Sequence, residues 1–303
     1  MSGAMGDTST IAAASAVALR VGFIGLGAMG HPMAGHLADR GLLAVVGNRT
    51  AAKAQAFAAA RGVRAAVSFA DYAGCEVVAL CVSADADVLG NVDGLASVLA
   101  PGAIVIDHST VSVETAREAA KRLAARGIGF LDAPVSGGVE GAKNGRLSIM
   151  VGGDEATLDR ARPLLEAYAA RIALMGPTGA GQATKAVNQI LVAGINEAVC
   201  ESLAFAEKLG LDPERLLPTL MAGAASNWFL DKRGATMLRG EFTPGFKCAH
   251  MVKDLRIVQA MAERAGIRHP VIDRALADYS ELEARGDGEL DTSALIRLKR
   301  PGG

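Results

Sequence analysis

Short apolar runs punctuate the first part of the chain: RVGFIG (20–25), LLAVVG (42–47), EVVALCV (76–82), AIVID (103–107), GIGFLD (127–132) and RIALMG (171–176). Continuous Val, Ile and Leu runs of this length fit strands buried on both faces. Ala-rich stretches with helical spacing separate most of them, for example at 51–61, 113–126 and 155–170. Strands alternating with helices predict right-handed βαβ units and a mainly parallel sheet. After GPTGAGQ (176–182) the strand text stops. A long helical pattern then runs from near Gln182 to about Leu209. GLDPERLLPTL (210–220) supplies a stop, an N-cap at Asp212 and Pro213 at the first helical position. Helical text continues to the C-terminus, so the expected boundary lies near Gly181.

One junction carries chemistry. GFIGLGAMGHPMAGHLADRG (22–41) runs from a strand through Gly25, Gly27 and Gly30 into a helix expected to begin near Ala28. Gly25 suits a tight turn, Gly27 leaves room for a pyrophosphate, and Gly30 lets the helix pack on the strand. The free N–H groups and positive dipole end of that helix face the phosphates. The same spacing also occurs in plain strand–helix turns and in methyl-donor sites, but the βαβ context favours a dinucleotide. The fold class is therefore α/β: a Rossmann doubly wound, mainly parallel sheet over 19–180, followed by an all-α C-terminal domain over 181–303. Residues 1–18 are expected to be a disordered tail.

The second strand selects the cofactor. An NAD enzyme normally places an acid there for the ribose 2′-hydroxyl. This chain has VVGNRTAAK instead, with Asn48 in the acid's place and Arg49 next. A carboxylate would repel a 2′-phosphate, whereas a guanidinium binds one. Thr50 and Lys53 add a hydroxyl and a second positive charge. The expectation is NADP(H), with NAD(H) second.

Two later stretches offer a substrate site. FLDAPVSGGVEGAKNG (130–145) starts at a strand's carboxyl end, where ligands of doubly wound sheets gather. Ser136, Gly137 and Gly138 form a plausible cradle for a small carboxylate, although SGG is also ordinary loop text. In GPTGAGQATKAVNQ (176–189), Lys185 and Asn188 share a helix face at the border of the two domains. A lysine there, partly desolvated beside a cationic nicotinamide, has a lowered pKa and suits general acid–base work. A lysine snorkelling to solvent is the alternative.

Composition removes other classes. The chain has 303 residues, half of them hydrophobic and only 4% aromatic, with a net charge of −1. Nothing basic points to nucleic acid. No apolar run is expected to reach transmembrane length, and no metal-ligand spacing is present. The four cysteines match neither a zinc site nor a redox pair, which fits reduced thiols in the cytoplasm. The first residues lack the basic and apolar regions of a secretory signal. The helical domain is very apolar, so a homodimer or homotetramer formed through it is expected.

GFIGLGAMGHPMAGHL (22–37), DAPVSGG (132–138), GAGQATKAVNQ (179–189) and KDL (253–255) occur in the order found in the β-hydroxyacid dehydrogenase family. The chain resembles that family over nearly everything after residue 20. The resemblance implies an NAD(P)-dependent oxidoreductase, acting on a small hydroxy acid or semialdehyde. It implies that Lys185 is the catalytic lysine and that Ser136, Gly137 and Gly138 anchor the substrate carboxylate. Asn188 matches its substrate-orienting amide, and Lys253 a lysine brought from the helical domain to the closed site. Thr110 in DHSTVS (107–112) matches a threonine beside the nicotinamide. The cofactor residues it implies include Leu26, Ala28, Met29, Val82 and Ser83; the last two replace the family's usual Leu-Pro. The NRT sequence resembles NADPH-using members. His108 is a further departure, read either as a substrate-facing group or as a packed strand-end histidine. Trp228 and Phe229 fall where such families line the pocket, and core or interface packing suits them equally. The alternatives are an imine reductase, which usually lacks Lys185, a 6-phosphogluconate dehydrogenase, which is much longer, and a non-catalytic dinucleotide-binding protein.

Overall fold

The computed structural model describes residues 19–300; the expected tail at 1–18 lies outside them. Nine strands form one sheet: β1 (Val21–Ile24), β2 (Leu43–Gly47), β3 (Arg64–Ala65), β4 (Val77–Leu80), β5 (Ile104–Asp107), β6 (Gly129–Asp132), β7 (Val135–Ser136), β8 (Leu147–Gly152) and β9 (Ala169–Gly176). Between them run α1 (Gly30–Asp39), α2 (Ala51–Arg61), α3 (Asp85–Ala96), α4 (Val113–Ala124), α5 (Gly138–Lys143) and α6 (Glu155–Leu165). The order is β3-β2-β1-β4-β5-β6-β8-β7, with β9 on β8. Pairing is parallel from β3 to β6, antiparallel for β8 with β6 and β7, and parallel again for β8 with β9. The chain reverses direction of winding between β1 and β4, which opens the crevice where such sheets take ligands.

The wholly buried strands β1, β4 and β5 explain their unbroken apolar text. Met33, Leu37, Phe57 and Leu158 cover one face of the sheet. Val88, Val92, Leu95 and Leu123 cover the other. The remaining helices are α7 (Ala180–Lys208), α8 (Pro213–Met221), α9 (Trp228–Leu238), α10 (Cys248–Arg264), α11 (Pro270–Ala284) and α12 (Ile296–Lys299). They have a core of their own, built from Cys200, Leu203, Met251, Leu255, Tyr279 and Ile296. Asp212 caps α8, accepting from the Glu214 N–H, with Pro213 as its first residue.

Several boundaries differ from the sequence expectation. Helix α1 begins at Gly30 rather than near Ala28, because the turn holding Gly25 to Gly27 needs the residues before it. The 155–170 stretch stops being helical after Leu165, and Ala169 onward pairs with β8. Strands β3, β7 and β8 were not expected at all. One described helix, α7, is long and apolar enough to cross a membrane by length and composition. Nearly half of its apolar window is buried inside the protein, as the spine of the helical domain would be.

Candidate active site

The glycine loop sits where β1 and β4 end side by side. Gly25 has φ +103°, and a Cβ there would lie 2.2 Å from the Cys81 carbonyl oxygen. A Cβ on Gly30 would fall 1.9 Å from the Gly25 carbonyl oxygen. Both positions therefore demand glycine. Gly27 is exposed, and a Cβ on it would meet nothing within 4 Å. That open, side-chain-free edge, with Ala28 exposed and Met29 half-buried before the start of α1, fits a dinucleotide pyrophosphate.

Asn48 holds the glycine loop from the end of the second strand. Its Oδ1 accepts from the Leu26 N–H at 2.9 Å, and its Nδ2 donates to the Thr50 carbonyl at 3.1 Å. It braces the glycine loop against β2 and keeps a second Nδ2 hydrogen for a further acceptor. Arg49 is 85% exposed at its side chain and only loosely paired with Asp87, at 3.9 Å. Thr50 and Lys53 are exposed beside it at the start of α2. These three residues leave a hydroxyl and two cations available at the crevice edge. On the β4 side, the Val82 N–H donates to Ser109 Oγ at 2.9 Å, and Val82 Cγ1 lies near Gly25. Ser83 is exposed.

The second half of the site lies where α7 meets the sheet. A Cβ on Gly181 would lie 2.4 Å from the Asp132 carbonyl oxygen and 2.5 Å from that of Met150, so the first turn of α7 presses directly on β6 and β8. Asp132 caps that turn: its Oδ1 accepts from the Gly179 N–H at 2.7 Å and its Oδ2 from the Gln182 N–H at 2.9 Å. Burial raises the Asp132 pKa, opposed by these hydrogen bonds. Gln182 ties the helix to the loop after β5, accepting from the Val111 N–H and donating to the Ser109 carbonyl.

Seated this way, α7 aims Lys185 into the seam. The buried Lys185 Nζ donates to the Val135 carbonyl at 2.9 Å, one residue before Ser136. Burial pulls its pKa below that of an ordinary lysine; Asp254 pushes it up and Lys253 down. Ser136 Oγ donates to Asn188 Oδ1 at 3.2 Å, and Asn188 Nδ2 donates to Gln189 Oε1 at 2.8 Å. Gln189 Nε2 donates to Asp254 Oδ2 at 2.8 Å, while Asp254 Oδ1 holds Lys253 Nζ at 3.0 Å. Lys253 Nζ completes the chain by donating to the Thr110 carbonyl at 2.6 Å. One continuous polar chain thus links the Ser136 loop, through the helical domain, to the loop after β5. Gly137 (φ +124°) and Gly138 (φ +61°) turn sharply beside it.

Sequence reasoning missed Asp132, Gln182, Gln189 and Asp254. Gln189 had a signal, being four residues beyond Lys185 on one helix face. Asp254 lies inside the KDL motif. His108 is packed: its Nδ1 lies 2.7 Å from the Ala133 carbonyl and its Nε2 2.7 Å from the Tyr168 hydroxyl. Burial lowers its pKa to about 4, so the ring is neutral, donating to Ala133 and accepting from Tyr168. Phe229 is buried in the helical core and Trp228 is half-exposed. Among the described residues, no group of three or more His, Cys, Asp and Glu side chains is placed to hold a metal.

Residues 20–176 match the model of the NAD-binding domain of 6-phosphogluconate dehydrogenase. Residues 179–299 match that of the NAD-binding domain of NADP-dependent 3-hydroxyisobutyrate dehydrogenase. The chain is an NAD(P)-dependent oxidoreductase by fold and relationship, and it belongs to the β-hydroxyacid dehydrogenase family. It is 44% identical to an uncharacterized oxidoreductase of Shewanella frigidimarina, over 93% of this chain and 98% of that one. It is 37% identical to the 2-hydroxy-3-oxopropionate reductase of Escherichia coli, over 92% and 96%. The Mycobacterium tuberculosis 3-hydroxyisobutyrate dehydrogenase structure with L-serine superposes with a TM-score of 0.84 at 34% identity, covering 93% of this chain and 99% of that one.

Proposed function

We propose that the protein moves a hydride between NADP(H) and a small hydroxy acid or semialdehyde, with Lys185 as general acid and base. The observation that carries this is the buried Lys185 ammonium at the domain seam, one residue from the Ser136–Gly138 turn. The nicotinamide, when bound, supplies or accepts the hydride. Ser136 and the amides of Gly137 and Gly138 hold the substrate carboxylate, and Asn188 orients the reacting oxygen. Lys185 protonates the alkoxide during reduction and takes the proton back during oxidation. Reduction needs the charged lysine, so its rate falls as pH rises through the depressed Lys185 pKa; oxidation rises over the same range. The named activities of the Escherichia coli and Mycobacterium tuberculosis relatives support the substrate class.

Replacing Lys185 by Ala is expected to lower kcat by about 100-fold or more while leaving cofactor binding nearly intact. Near-wild-type turnover in that variant overturns the assignment. The cofactor preference rests on Arg49, Thr50 and Lys53 together with the absence of an acid at position 48. Measured side by side, NADP(H) is expected to have the lower KM. A tenfold preference for NAD(H) contradicts the proposal. We place the protein in the cytoplasm, where its four free cysteines stay reduced, and assign it a homodimer or homotetramer built through the helical domain.

A further inference from the structure

The carboxylate cradle itself carries no formal charge: it consists of one hydroxyl and two backbone amides. Lys185 is committed to the proton, and Lys253 is held by Asp254 and the Thr110 carbonyl. A third cation comes from the helical domain. A Cβ on Gly138 would lie 3.9 Å from the Gly245 carbonyl oxygen, so the loop that holds Gly245 approaches the cradle at Gly138. A Cβ on Gly245 would in turn lie 2.2 Å from Arg233 Nη2. Arg233 therefore reaches the same corner from α9.

The guanidinium is firmly aimed. Its Nε donates to Asp291 Oδ1 at 3.2 Å, and its Cζ stands 5.5 Å from the Trp228 ring centroid. Asp291 is buried, and its Oδ2 accepts from the N–H groups of Gly245 (2.7 Å) and Phe246 (3.2 Å). One carboxylate thus fixes both the arginine and the loop that approaches the cradle. Arg233 Nη1 donates to the Lys232 carbonyl at 3.2 Å, whereas Nη2 has no hydrogen-bond partner among the described residues. The side chain is 19% exposed. With Nε and Nη1 engaged, Nη2 is the guanidinium nitrogen left to donate to a carboxylate oxygen.

The geometry points to Arg233 as a specificity-determining residue that supplies the charge for substrate carboxylate recognition, with Asp291 and Trp228 positioning it. This inference rests on the oxidoreductase reading above and deepens it: the substrate is an anion rather than a neutral carbonyl compound. Arg233 and Gly245 were not legible as site residues, because positions 233, 245 and 291 meet only in the fold.

The test compares kcat/KM for 3-hydroxypropanoate and its methyl ester, with NADP+, in wild type, Arg233→Met and Gly245→Ala. The wild type should prefer the acid. Arg233→Met should shrink that preference by about tenfold, through a raised KM for the acid and not for the ester. Gly245→Ala keeps both charges but pushes the guanidinium aside, so it should shrink the preference in the same direction. It also decides the matter should Arg233→Met fold poorly by stranding Asp291. Turnover by the wild type with an unchanged acid-to-ester ratio in a folded Gly245→Ala protein overturns this inference alone. No turnover of either compound by the wild type overturns the hydroxy-acid reading of the proposed function and this inference together.

Discussion

Asp107 ends β5 with no exposed surface, and its Oδ2 has no hydrogen-bond partner among the described residues. Its Oδ1 accepts from the Ser109 N–H at 2.9 Å, which shapes the loop leading to Thr110. Burial raises its pKa from 3.8 to about 7; hydrogen bonds from Ser109 and the charge of Lys253 oppose the rise, and Asp132 on the next strand adds to it. The stability from this group is complete below pH 3.8, where both folded and unfolded forms are protonated. It is lost as pH rises through about 7, because the unfolded carboxyl ionises first. The shift sets a ceiling of roughly 4 kcal/mol. Asp107→Asn keeps the acceptor for Ser109 and removes the charge. Denaturant melts should show the variant gaining on wild type between pH 4 and 7, by about 2 kcal/mol at the plateau, with a constant gap above. A gap that does not change with pH would mean that Asp107 is not titrating there. His108, whose ring resists protonation until about pH 4, is present in both proteins and cancels from the comparison.

At the scale of elements, the strands legible in the sequence were those whose environment is uniform. β1, β4 and β5 are buried on both faces, so their text is unbroken apolar residues, and the glycine turn between β1 and α1 is forced by backbone contacts that only glycine permits. β8 (Leu147–Gly152) escaped notice because it follows the turn of a motif rich in glycine and pairs antiparallel with β6 and β7, which no βαβ pattern announces. Beyond Leu165 the Ala-containing text still suits a helix, but pairing of β9 with β8 overrides that local preference. The site divides in the same way. Lys185, Ser136 and Asn188 lie in short motifs and were visible. Gln189 and Asp254 lie in those motifs too, but the contact that joins them spans 65 residues and the one from Asp132 to Gly179 spans 47, and no local pattern encodes either. Seating α7 on Asp132 is what turns a local motif into the proposed site: the cap, Gly181 and Gln182 together fix where the Lys185 side chain leaves the helix.

At the scale of the whole molecule, the same helix poses a surface problem. Its inner face builds the helical core, but Val187, Leu191, Ile195 and Phe205 lie on its outer side, with Leu191 63% and Phe205 64% exposed. Val271 of α11 lies beside it at Gly194 and is also exposed. Isolated exposed hydrophobics are ordinary, but several at helical spacing along one element exceed what a monomer normally leaves in water. Gly194, Glu197, Glu201 and Arg274 line a depression beside the stripe, so acid and base border the apolar residues on one surface. Such a surface complements itself across a two-fold axis, where the acid of one copy meets the base of the other. A second copy of the chain is therefore the expected occupant, and covering the stripe would also stiffen the helix that carries Lys185. Light scattering on the purified protein should give a dimer or tetramer mass. Leu191→Asp places a charge in the middle of the stripe without touching the helical core, and it should shift the mass toward the monomer at micromolar concentration. A wild-type monomer at that concentration, or an assembly untouched by the substitution, would show that this face serves another purpose.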